Sequence, residues 1–68
     1  MNIENNNKQF LMSINDAADV FGIGRQKLRQ LIKVEPTIPV IKIGTMTKII
    51  VPEFEKWLIQ VALEGREL

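Results

Sequence analysis

The sequence predicts a small α+β fold: two short helices meeting at a tight corner, then a β-hairpin, then a closing helix. Three observations predict it. Only Gly22, Ile23 and Gly24 separate two stretches with helical apolar spacing; two β-branched runs flank Gly44 to Thr47; and Phe54, Trp57, Leu58, Val61 and Ala62 recur at i, i+3, i+4, i+7 and i+8. The chain of 68 residues has room for one domain with one modest core, near the lower limit at which a chain folds without staples.

Residues 1–9 contain the run Asn5, Asn6, Asn7 and little to bury, which predicts a disordered lead. The folded domain is expected over residues 10–64, with 65–68 as a tail. Phe10, Leu11 and Met12 suit a brief strand, and Phe10 and Phe21 fit core positions. At Ser13 a hydroxyl stands three residues before Asp16, a variant of the capping box, so the first helix begins there. Ile14, Ala17, Ala18 and Phe21 form its inner stripe, and Gly22 is placed to end it in a left-handed conformation. The short connection forces the next helix into contact, with Ala17 and Ala18 permitting close approach and Ile23 plugging the corner, a helix-turn-helix arrangement. Pro36 and Pro39 end the second helix. Val40–Ile43 and Lys48–Val51 follow as strands around a four-residue turn, Gly44 to Thr47. Pro52 suits the first turn of the last helix, and Gly65 stops it near Glu64.

Composition narrows the chemistry. With no cysteine and no histidine, the chain has no disulfide, no thiolate nucleophile and no ordinary zinc site. No apolar run spans a membrane and no secretory signal is present, so a soluble, cytoplasmic protein is expected. Glu53, Glu55, Glu64 and Glu67 have no accompanying base, nucleophile or ligand set and are expected to be solvated charge. No enzyme activity and no cofactor are predicted.

Charge is the informative quantity. Residues 1–23 hold Lys8 against Glu4, Asp16 and Asp19, a net −2; residues 52–68 hold Lys56 and Arg66 against Glu53, Glu55, Glu64 and Glu67, again −2. Between them, Arg25, Lys27, Arg29, Lys33, Lys42 and Lys48 face only Glu35, giving +5 within an overall +1. A basic centre between acidic ends points to a polyanionic partner on one face. In the second helix Leu28, Leu31 and Ile32 share one arc, while Gln26, Arg29, Gln30 and Lys33 lie opposite, with Arg25 and Lys27 on the flanks. Arg suits guanine and Gln suits adenine in the major groove, so Gln26, Arg29 and Gln30 are the expected base readers, with Arg25, Lys27 and Lys33 nearer the phosphates.

The ordered set of fragments also carries a resemblance. Ser13, Ile14, Asp16, Ala17, Ala18; Phe21, Gly22, Ile23; Lys27-Leu28-Arg29-Gln30-Leu31-Ile32; Ile41-Lys42-Ile43-Gly44; Thr47, Ile49; and Phe54-Glu55-Lys56-Trp57-Leu58 together resemble the small excisionase-family DNA-binding proteins of mobile elements. These are relatives of the DNA-binding domain of MerR-type regulators. The likeness runs from Leu11 to about Leu58. It implies a winged helix-turn-helix whose hairpin wing lies along the minor groove, with Lys42 and Lys48 at phosphates and Thr45 and Thr47 as hydroxyl donors. The chain departs from many relatives at Gly24, where they carry Ser, and at the wing tip, Thr45-Met46-Thr47, where they carry Arg or Lys.

The resemblance implies a factor that binds and bends double-stranded DNA at mobile-element ends and so helps a tyrosine integrase excise. A small MerR-like transcriptional regulator is the alternative. Phe54, Trp57, Leu58 and Val61 are all expected in the core, leaving the last helix no second apolar face. A free monomer is therefore expected, gaining specificity when neighbouring copies or an integrase line up on DNA.

Overall fold

The computed structural model describes residues 9–68, and the expected disorder of residues 1–8 lies outside them. The order of elements is β1 (Leu11–Ser13), α1 (Ile14–Phe21), α2 (Arg25–Val34), β2 (Val40–Ile43), β3 (Met46–Ile50) and α3 (Val51–Glu64). The described residues thus form a small α+β domain of three helices and one antiparallel sheet.

Local signals set the helix ends. The Ser13 hydroxyl accepts the Asp16 backbone N–H at 3.1 Å, satisfying one of the orphan donors at the start of α1. Gly22 (φ 73°) and Gly65 (φ 70°) close α1 and α3 in the left-handed region, where a side chain would be strained. The Ile23 N–H reaches the Ala18 carbonyl at 2.9 Å, folding the chain back at the corner before α2 begins.

The hairpin differs from expectation in two ways. Ile43 pairs with Met46, so the turn is the two residues Gly44 and Thr45, and Thr47 sits within β3 opposite Lys42. With φ of 62° at Gly44 and no positive φ at Thr45, the turn has the type II′ pattern, whose twist matches that of the strands it joins. Thr47, being β-branched, extends the strand instead of the turn. The hairpin is also not alone: β1 pairs antiparallel with β3, giving the order β1-β3-β2 with β3 in the centre.

Met12, Ile49 and Val40 stand side by side across the sheet, on the face that packs against the helices. Ala17, Ala18, Leu28, Leu31, Ile38, Ile49 and Phe54 form the buried cluster, with Trp57 and Leu58 packed on it. Phe54, Leu28 and Ile49 are its largest fully enclosed side chains, each contributing about 1.5–3 kcal/mol by burial. Phe54 meets Phe21 edge-on at 5.0 Å and stacks on Trp57 at 5.8 Å. Trp57 keeps its polar edge in use, donating Nε1–H to Thr37 Oγ1 at 2.9 Å.

Two apolar expectations fail. Phe10 is exposed, because only its backbone is fixed, its carbonyl accepting the Val51 N–H at 2.8 Å just before β1 starts. α3 does carry a second apolar surface: Ile59 and Leu63, one turn apart and roughly opposite Phe54, are 60% and 77% exposed. Among the described residues no helix is long and apolar enough to cross a membrane.

Candidate nucleic-acid interface

α2 turns its apolar arc inward, with Leu28 and Leu31 buried and Ile32 half-buried, and leaves Gln26, Lys27, Arg29, Gln30 and Lys33 exposed. Its first turn has no acid and Gly24 offers no side-chain cap, so no side chain of that turn caps the first amides at the positive end of the helix. The first helical bond runs from the Leu28 N–H to the Gly24 carbonyl at 2.9 Å.

Arg25 stands apart from the other cations. Its guanidinium makes two bonds to Asp19 of α1, Nε at 3.2 Å and an Nη at 2.7 Å. That fork spans the corner between the helices and holds the Asp19 carboxyl below the usual carboxylate range, chiefly through the hydrogen bond. The sequence grouped Arg25 with the phosphate-facing cations, whereas the fold gives it an internal partner.

The remaining ion pairs also lie away from the outer face of α2. Lys56 meets Glu53 at 3.4 Å, and Arg66 meets Glu35 at 3.1 Å and Glu64 at 3.6 Å. Arg66 thereby neutralises Glu35, the sole acid between Gly24 and Val51, while its guanidinium lies 5.9 Å from the Trp57 ring centre. The tail is therefore docked on the body through Arg66. Among the described residues, Lys27, Arg29, Lys33, Lys42 and Lys48 have no acid within ion-pair distance.

The two hairpin lysines are separated by the register. Lys42 stands opposite Thr47 and Lys48 opposite Ile41, so they project from opposite faces of the ribbon. Lys48 is half-buried because β3 is central and places it between Ser13 and Ile41; Lys42, on the outer strand, is exposed. Thr45 is at the tip, and Thr47 is one pair behind it. A single contact along one edge of the hairpin cannot use both lysines in the same way.

Sequence reading passed over several exposed side chains here. Val34 ends the outer face of α2 close to Gln30 and Lys27, and Ile41, Ile43 and Met46 form an exposed apolar face on the hairpin. The alternation in Ile41-Lys42-Ile43 and Met46-Thr47-Lys48 held the signal, since a hairpin that outruns its core must expose one apolar set. Comparison of the chain with known protein families, with characterised proteins and with solved structures gives no match.

Proposed function

We propose that the chain is a winged helix-turn-helix protein that binds and bends double-stranded DNA, with α2 in the major groove and the β2–β3 hairpin as the wing. One observation carries this reading: among the described residues Lys27, Arg29, Lys33, Lys42 and Lys48 keep no acidic partner, while Glu35, the sole acid between Gly24 and Val51, is neutralised by Arg66. Such a surface attracts a polyanion, and the long donors of Gln26, Arg29 and Gln30 on one helix face suit base edges. Lys27 and Lys33 then take phosphates from α2, and Lys42, Lys48, Thr45 and Thr47 supply the wing.

Within DNA binding, the likeness of Leu11 to about Leu58 to the excisionase family favours a role at mobile-element ends beside a tyrosine integrase, the free chain being a monomer. A dimeric transcriptional regulator is the second reading, favoured by the exposed Ile59 and Leu63 on α3. Those two side chains offer far less than the roughly 1,600 Å² of a standard interface, which weighs for the monomer.

Titration of duplex DNA at graded salt tests the reading. Cations on phosphates release counterions, so log K should fall against log salt with a slope of about −3 to −5, and Lys48→Ala should flatten it by about one unit on every sequence. A parent slope near zero would overturn the DNA reading, and an unchanged slope in Lys48→Ala would remove that lysine from the phosphate set. Sedimentation without DNA separates the two roles, a stable dimer favouring the regulator.

A further inference from the structure

The hairpin's exposed apolar set is Ile41, Ile43 and Met46, at 43%, 50% and 53% exposure. Ile41 stands opposite Lys48 and Ile43 opposite Met46, so all three lie on the face turned away from Ile49 and the core. β1 ends opposite Lys48 and gives that face no cover further out. Ile43 and Met46 form the last pair before the Gly44–Thr45 turn, and hence the free end of the ribbon.

Positive charge brackets this apolar pair. Lys42 adjoins Ile43 on the opposite face and Lys48 lies two residues from Met46 on the same face, neither with an acidic partner among the described residues. That combination selects the occupant. An apolar protein surface laid on Ile43 and Met46 would have to desolvate the neighbouring lysine charge, whereas a nucleic-acid groove accepts apolar tip and cations together. Ile and Met side chains inserted from the minor groove pry apart a base step and kink the duplex, while flanking cations hold the phosphates on either side.

We propose that Ile43 and Met46 form an apolar wedge that enters the minor groove of duplex DNA, unstacks one base step and so bends the duplex. Resting on the DNA-binding reading above, this assigns the bend to two side chains that have no polar group to read a base. Pyrimidine–purine steps unstack most readily, so the wedge favours a TA or CA step at a fixed offset from the bases that α2 reads.

The full chain titrated at low salt against short A·T-rich duplexes provides the test. The duplexes carry 2-aminopurine at a central TA step, which brightens on unstacking, and a dye pair on their ends, which reports bending. The parent should brighten the probe and bring the ends closer. The double variant Ile43→Thr, Met46→Thr should leave both signals at the level of free duplex while its affinity changes by less than about tenfold, since the kink cost it avoids offsets the contact it loses. Threonine keeps strand propensity, and circular dichroism checks that the fold persists. If the double substitution unfolds the chain, Met46→Gln alone carries the same test. Ile41→Thr, equally apolar but one pair back from the end, should retain both signals.

Unstacking by the double variant equal to the parent's would overturn the wedge, as would a parent that binds without unstacking; in both cases DNA binding itself stands. A parent that binds no duplex would fell the DNA reading and the wedge together. A parent dimer that the double variant dissociates, with bending unchanged, would reassign this face to contact between copies.

Discussion

α2 and α3 are both amphipathic helices with long charged side chains on the face away from the core, yet they treat those charges in opposite ways. On α3, Lys56 is tied to Glu53 and Glu64 accepts from Gln60 at 3.0 Å; just beyond the helix, Arg66 pairs with Glu64 at 3.6 Å and reaches on to Glu35. On α2, Lys27, Arg29 and Lys33 have no acid in reach among the described residues. Each exposed pair on α3 adds little stability, but pairing cancels the field that a polyanion would feel. α3 thus serves as a scaffold whose following residue Arg66 neutralises Glu35, although Glu55 keeps no cation among the described residues, and α2 stays available to a partner.

The largest effect that sharpens this contrast falls on α3. Phe54 is fully buried and touches both Phe21 and Trp57, so Phe54→Ala should cost about 3–5 kcal/mol. A chain this small has about 3–10 kcal/mol in total, so denaturant melts should find it largely unfolded. A variant that melts like the parent would mean that α3 does not hold the core.

Arg29→Ala should do the reverse, leaving the melt unchanged and weakening specific binding by about 1–3 kcal/mol if Arg29 contacts a base pair through both guanidinium arms. Equal affinity of variant and parent for a selected site, titrated at fixed salt, would take Arg29 out of the base-reading set.

The smallest effect comes from Arg25, the one α2 cation with an acidic partner among the described residues. Because Arg25 lowers the Asp19 carboxyl, the pair stabilises the fold above the ordinary carboxylate range, and that contribution is lost as pH falls through the lowered value. Asp19→Asn should therefore melt slightly below the parent at neutral pH and converge with it in acid. Freed from Asp19, Arg25 should also steepen the salt dependence of DNA binding by up to about one unit. A pH-independent difference in melting would show that the pair contributes nothing through charge.

Legibility in the sequence followed range. The start of α1 and the stops of α1 and α3 depend on contacts within four residues, and Ser13, Gly22 and Gly65 announced them, whereas Val51, read as the end of the second strand, opens α3. The inner arc of α2 was equally plain from Leu28, Leu31 and Ile32. Long-range features were not legible. That β1 would lie beside β3 depends on pairing Met12 with Ile49, and that Glu35 would be neutralised depends on Arg66, 31 residues away. The bond of Arg25 to Asp19 was not legible either, because it exists only once the Gly22–Gly24 corner has formed. Ile59 and Leu63 stand at i, i+4 in the sequence, but the spacing of Phe54, Trp57, Leu58 and Val61 accounts only for the face that closes the core and says nothing of the opposite one.

As proposed, α2 and the hairpin form the DNA surface and α3 does not. Backbone amide spectra of the isotope-labelled chain, recorded as duplex DNA is added, test it most directly. Shifts should concentrate between Arg25 and Val34 and between Lys42 and Lys48, with Phe54 to Leu63 nearly still. Shifts confined to α3 around Ile59 and Leu63, or none at any residue, would contradict it.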